Sequence, residues 1–191
     1  MGLIMKGHRI KRRRGALQVL GELPVRLIIE GSIVWEIPKI THFYTTSTII
    51  SVPDNVHSFS LCGSAAGGGG SATLGGSSGQ IYSNVAFPVI PGELINIVIG
   101  QGGAVDTAGE DSSFGTLTLT GGATGDYAGV GTERVTCGGR YYDGAGGTGG
   151  QASTHGNGGA AGEAAIKGAG GGSNAAGGNG IFQVSYFFED Q

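Results

Sequence analysis

The chain has 191 residues, 42 of them glycine, only 13% charged, with a formal net charge of −3. Glycine stands at about three times and charge at about half their usual shares. That balance argues against general nucleic-acid binding by the body of the protein, and no run approaches the ~18 apolar residues of a membrane-spanning helix. The basic N-terminus lacks the apolar stretch and cleavage site of a secretory signal.

Residues 1–38 differ in style from the rest of the chain. Leu17–Leu20, Val25–Ile29 and Ile33–Ile37 are short apolar runs punctuated by glycine, and Glu30–Glu36 reads as a hairpin, so a small N-terminal β-hairpin module is expected here. His8–Arg14 is basic. It reads as a solvated strand edge guarded by charge, or as a protein-docking face, in preference to a nucleic-acid contact. Arg12, Arg13, Arg14 and Trp35 are the anchoring candidates.

From residue 39 a glycine-rich all-β domain is expected to run to residue 191. Residues 40–62 suggest two strands joined at Pro53-Asp54. Residues 81–99 suggest another pair joined through Pro88–Glu93, with Leu94–Ile99 the clearest strand. Phe114–Thr120 alternates as one further strand, and Ile181–Phe188 closes the domain. No segment holds a helical apolar period across two turns.

The glycine between these strands has its own period. From Gly144, every third residue is Gly144, Gly147, Gly150, Ser153, Gly156, Gly159, Gly162, Ala165, Gly168, Gly171, Asn174, Gly177 and Gly180. Three residues per turn is the geometry of polyproline II, a helix without internal hydrogen bonds. A bare row on each helix would let neighbours approach and satisfy each other's backbone groups. Collagen would need proline in the remaining phases, and none follows Pro91. A flexible linker is the competing reading. Against it, the small-residue phase persists and a strand follows that must rejoin a core. The fold expected is therefore a glycine-rich β-sandwich with polyglycine-II-like segments. Gly147, Gly150, Gly156, Gly159, Gly162, Gly168 and Gly171 are its scaffold positions.

Chemistry-bearing motifs are weak. Gly100-Gln-Gly-Gly-Ala-Val105 follows a strand but fails the dinucleotide pattern, and no helix follows. Gly75-Gly-Ser77-Ser-Gly79 matches the hydrolase elbow only in letters. Asp106, Glu110 and Asp111 share one loop, for which calcium and a plain solvated loop are the two readings, the latter favoured. No enzyme, cofactor or metal is expected. Cys62 and Cys137 read as two free thiols of a reducing cytosol, a single disulfide being the other reading. Large polar and aromatic residues interrupt the glycine at Tyr127, Arg140, Tyr141, Tyr142 and His155. They either contact a partner or cap the scaffold edge.

Four stretches taken together resemble the glycine-rich domain of bacteriophage tail-fibre, tail-tip and minor structural proteins. They are STIISVPDNVHSFSLCGSAAGGGG, PGELINIVIGQGG, DSSFGTLTLTGG and GGNGIFQVSYF, in that order, over roughly residues 43–187. VRLIIEGSIVWE is similar to a hairpin module at the start of many such proteins. Two features depart from the pattern: Asn55 stands where the family has glycine, and GTERVTCGGRYYD has no counterpart. The resemblance implies a virion protein assembled in the host cytoplasm. Its N-terminal module would join other virion proteins, and its loops would meet a host cell-surface receptor. A purely structural collar, head-fibre or baseplate part is the alternative. Homo-oligomers are allowed; nucleic acid and membrane insertion are not expected.

Overall fold

The computed structural model describes residues 39–129, 131–145 and 148–187 in full, and the backbone strands within residues 3–36. Gly147, Arg14 and Phe188 lie outside the described residues, as do the side chains of Arg12, Arg13 and Trp35. The described residues are all β, without a helix.

Among the described residues, five strands precede residue 39. β1 (Leu3–Met5), β2 (His8–Arg13) and β3 (Ala16–Val19) form an antiparallel sheet in that order. The basic run therefore occupies the middle strand rather than a sheet edge. β4 (Arg26–Ile29) and β5 (Ser32–Glu36) form the expected hairpin.

Two four-stranded sheets then build a sandwich. One orders β6 (Lys39–Tyr44), β15 (Ile181–Phe187), β8 (Ser58–Ser64) and β9 (Ile81–Pro88). The other orders β12 (Leu117–Leu119), β11 (Ser112–Phe114), β10 (Leu94–Val98) and β7 (Thr48–Ser51). Alternation decides what faces inward. Phe59 and Leu61 of β8, Phe182 and Val184 of β15, Ile95 and Ile97 of β10, and Phe114 of β11 share one buried cluster. Phe114 sits at its centre, its ring 5.6 Å from both Phe87 and Phe182.

Three sequence expectations change. The strands on either side of Pro53 do not pair with each other, and neither do those flanking Pro88–Glu93. β7 and β10 belong to one sheet, β8 and β9 to the other. Each turn is a crossing between sheets, and the two turns bond one another: Val52 N donates to Glu93 O at 2.9 Å and Gly92 N to Val52 O at 3.0 Å. Phe114–Thr120 is two strands, because Gly115 turns the chain at φ 59°. A two-residue loop with glycine at that first position suits a hairpin.

Strand directions put the Pro turns at one end of the sandwich and the glycine segments at the other. β8 and β10 run out into residues 65–70 and 99–103, while β9 and β15 return from residues 80 and 180. The glycine forms a bundle, and residues 66–70 are its axis. Ala66 and Gly69 donate to Glu110 and Thr107, Gly67 and Gly70 to Gly178 and Ala175, and Gly68 to Ser77. In return Gly67 and Gly70 accept from Gly103 and Asp106, Ala66 and Gly69 from Gly122 and Gly125, and Gly68 from Gly171. Partners recur at every third residue, and successive residues reach different neighbours. One extended segment is thus hydrogen-bonded to six surrounding segments at 2.8–3.3 Å. A second such segment, residues 169–172, bonds among others to Gly68, Gly76, Gln151, Gly159 and Gly178.

On the perimeter the three-residue period separates buried from exposed positions. Gly156 and Gly159 are buried there while Asn157 and Ala160 are exposed. Axial segments have no outward side, so Gly67–Gly70 and Gly170–Gly172 are glycine in every phase. A Cβ on Gly150, Gly156, Gly159 or Gly171 would come within 3.0 Å of backbone in another segment. Gly168 is crowded by Ser64 and Ala65 and has φ 79°. Gly162 differs: it is exposed in a turn at φ 76° with nothing within 4 Å, so its position reflects the turn and no close approach.

Candidate recognition hairpin

The stretch without a family counterpart is a hairpin, β13 (Glu133–Thr136) and β14 (Gly139–Tyr142). Opposed residues in an antiparallel pair share a face, and the faces alternate. Glu133 with Tyr142 and Val135 with Arg140 therefore point one way. Arg134 with Tyr141 and Thr136 with Gly139 point the other. Burial follows the same alternation, the first four residues being exposed and the others half-buried.

The inward face docks on the outer surface of the β6–β15–β8–β9 sheet. There Gln183 lies in register between Phe43 and Cys62. His155, which is 7% exposed, fills the space between. Its Nε2 is 2.9 Å from Gln183 Oε1 and its Nδ1 2.8 Å from Thr154 Oγ1. The Phe43 ring meets it edge-on at 5.9 Å, and the Tyr141 ring lies 6.3 Å away. Burial holds the His155 pKa below its ordinary value, against the raising effect of its bond to Gln183. His155 is thus a wedge beneath the hairpin, and its expected role as a surface contact is corrected by that burial. Tyr141 packs on it and also faces inward.

Asp143 secures the base of the hairpin. Its side chain is fully enclosed and accepts from Tyr127 Oη, from Ala152 N at 2.7 Å and from Arg134 Nε at 3.4 Å. A buried carboxylate needs such partners. Burial first, then the Asp143 bond, raises the Tyr127 pKa. Tyr127 is also bridged to Gly75 through its backbone at 2.9 Å in both directions. Tyr142 N donates to Asn157 Oδ1 at 2.9 Å, and Gly158 N to Tyr142 O at 2.9 Å.

The outward face holds Val135, 68% exposed, Tyr142, 46% exposed, and the surface pair Arg140–Glu133 at 2.6 Å. Hydrogen bonding to Glu133 raises the Arg140 pKa further above its ordinary value. Of the predicted contact residues the structure brings Arg140 and Tyr142 together on this face and turns Tyr141, Tyr127 and His155 inward. Glu133 and Val135 complete the face. The signal for them was the alternation of E-R-V-T and R-Y-Y around the turn residues Cys137-Gly138.

The tip of the hairpin is bonded to the sheet. Cys62 of β8 and Cys137 form a disulfide, with Cα atoms 6.0 Å apart. The free-thiol reading is thereby corrected: their 75-residue separation in sequence vanishes once the hairpin folds back over β8.

The remaining motifs serve the fold. Glu110 Oε2 accepts from Gln101 N at 2.9 Å and Asp111 Oδ1 from Gly121 N at 2.8 Å, so both carboxylates cap bundle backbone. Among the described residues no group of three or more His, Cys, Asp or Glu could hold a metal ion. Gly102 and Gly103 give their amides to Asn179 Oδ1 and Gly67 O. Ser77 Oγ donates to Asp126 at 2.7 Å.

Residues 44–186 match a family model described as a glycine-rich domain. No curated protein matches the chain.

Proposed function

The chain belongs to the glycine-rich domain family, and from that premise we propose that it is a virion structural protein. In this reading it is a bacteriophage tail-fibre or tail-tip component that meets the host surface through side chains carried on a glycine scaffold. Polarity carries the reading. Lys39 pairs with Phe187 at the end of the sandwich away from the bundle, so the chain enters and leaves at the same end. An N-terminal module held by other virion proteins would direct the bundle outward. The resemblance to phage glycine-rich domains supplies the biological setting.

The contact surface in this proposal is the outward face of the hairpin: Glu133, Val135, Arg140 and Tyr142. Tyrosine and arginine on a stiff support lose little conformational freedom on binding. The test is binding of the purified chain to intact host cells. Arg140→Ala with Tyr142→Ala should weaken binding at least about thirtyfold, the effect of losing about 2 kcal/mol, at an unchanged melting temperature. Tyr141→Ala should act on stability instead. A chain starting at Lys39 should fold yet fail to join particles.

A second reading, a purely structural component, is favoured by exposed Ile49 and Leu94 on the outer face of the other sheet. Incorporation into particles without any cell binding would select it.

A further inference from the structure

The hairpin turn carries a residue that turn chemistry does not choose. Cys137 and Gly138 are its two central positions, at φ 50° and 80°. Two positive values make a type I′ turn, whose first central residue is ordinarily Asn, Asp or Gly. A cysteine there holds a side chain in the left-handed region without local benefit. What it gains is reach: its Cα stands 6.0 Å from that of Cys62, inside the range a disulfide spans.

The other fastenings of the hairpin are unevenly distributed. Its base continues into the bundle and is held by the Asp143 bonds and by Asn157. Near the tip, the described hydrogen bond to the rest of the fold is Thr136 Oγ1 to Thr154 O at 3.3 Å. The sandwich and the bundle have their own fastenings. Cys62 sits on a strand paired on both sides, with β15 and β9.

We propose that Cys62–Cys137 is a redox latch. Oxidised, it clamps the hairpin tip on the sheet and fixes its outward face; reduced, it frees the tip and leaves sandwich and bundle intact. The exchange partner is a low-molecular-weight disulfide or thiol. Cys137 is the more exposed of the two residues, half-buried at the turn, and Cys62 is buried beneath the hairpin. The Cys137 thiolate attacks one sulfur of the small disulfide and expels a thiolate. Cys62, giving up its proton, then attacks the Cys137 sulfur of the mixed disulfide and expels the second. Two protein thiols become one disulfide, and one small disulfide becomes two thiols. Reduction runs in reverse, beginning at Cys137. A chain made in a reducing cytosol would carry the open latch and close it on reaching an oxidising medium. The latch does not depend on what the outward face touches.

The experiment is backbone hydrogen exchange on the full chain, air-oxidised and then treated with a phosphine reductant, with thiols counted in both states. Zero thiols should become two. Amides of residues 134–141 should then exchange about tenfold faster or more, while those of residues 67–70 and 181–185 stay protected. Cys62→Ser with Cys137→Ser should match the reduced chain under both conditions. Should that variant not fold, the wild-type chain before and after reduction decides. Two free thiols in the air-oxidised chain, unchanged hairpin exchange after reduction, or equal loosening of hairpin and bundle would each overturn the latch.

Discussion

Phe114 and Gly68 are both enclosed, for opposite reasons. Phe114 is surrounded by side chains, with the rings of Phe59, Phe87 and Phe182 about it. Gly68 is surrounded by peptide groups from residues 77, 122–123 and 171. In the sandwich the buried material is side chain, and the backbone pairs along ladders in one plane. In the bundle the buried material is backbone, and its hydrogen bonds radiate in all directions about the axis. The first region is held by how much apolar surface it hides; the second by dense backbone pairing at close approach. The two regions therefore fear opposite substitutions. Removing atoms injures the sandwich and adding them injures the bundle.

The largest effect tests the bundle. Gly159→Val puts a branched side chain against the backbone of Glu163 and Gly172, and the chain should not fold. Ala160→Val, on the exposed neighbouring phase, should shift stability by no more than about 0.5 kcal/mol. Equal melting temperatures for the two variants would break the comparison. Next comes the sandwich: Phe114→Ala should cost about 3–5 kcal/mol in denaturant titration, through lost transfer energy and the cavity left behind. A loss below about 1 kcal/mol would mean that the ring cluster is dispensable. Sharper still is Ala66→Gly on the bundle axis, where a fully buried side chain is removed. Here the cost should be only about 0.5–1 kcal/mol, the backbone-entropy difference between the residues. A cost near that of Phe114→Ala would show that side chains, after all, hold the bundle.

The smallest effect lies at the junction, in a pH slope. Burial depresses the His155 pKa in the folded chain, whereas the unfolded chain takes up that proton near pH 6.5. As pH falls through about 6.5 the unfolded state binds more protons, so stability drops and continues to drop until the folded pKa is passed. His155→Gln should flatten melting temperature between pH 7 and pH 5. A wild-type curve already flat there would remove His155 from the account.

The same division decides what could be read beforehand. Strands such as Leu94–Val98 and Ile181–Phe187 were legible because alternation and apolar content are local signals. Which sheet a strand joins was not: Pro53-Asp54 and Pro88–Glu93 have hairpin-like turn chemistry, yet both cross the sandwich. Turn residues fix a local bend and leave the partner to the core. Period-three glycine was legible both from Gly144 and from Gly63 through Ala66 and Gly69, but not which segment would be the axis: in Gly67–Gly70 glycine fills every phase, and only the hydrogen bonds to six neighbours mark it out. Residue type alone groups Tyr141 with Tyr142, although a hairpin sends them to opposite faces. Cys62 and Cys137 meet only through tertiary folding, which spacing does not encode.

A helix that repeats every three residues also sets a rule for length. Adding or deleting three residues in a perimeter segment such as 156–161 returns the bare row to the same neighbour, and every peptide group finds an equivalent partner. Adding one or two rotates the row by roughly a third of a turn and drives side chains into the adjacent backbone. Insertions and deletions in the bundle are thus filtered by divisibility, as in a reading frame, whereas an exposed turn such as the one at Gly162 can absorb any number. Loop content at the bundle end of the domain can therefore diversify while the lattice beneath it stays in phase.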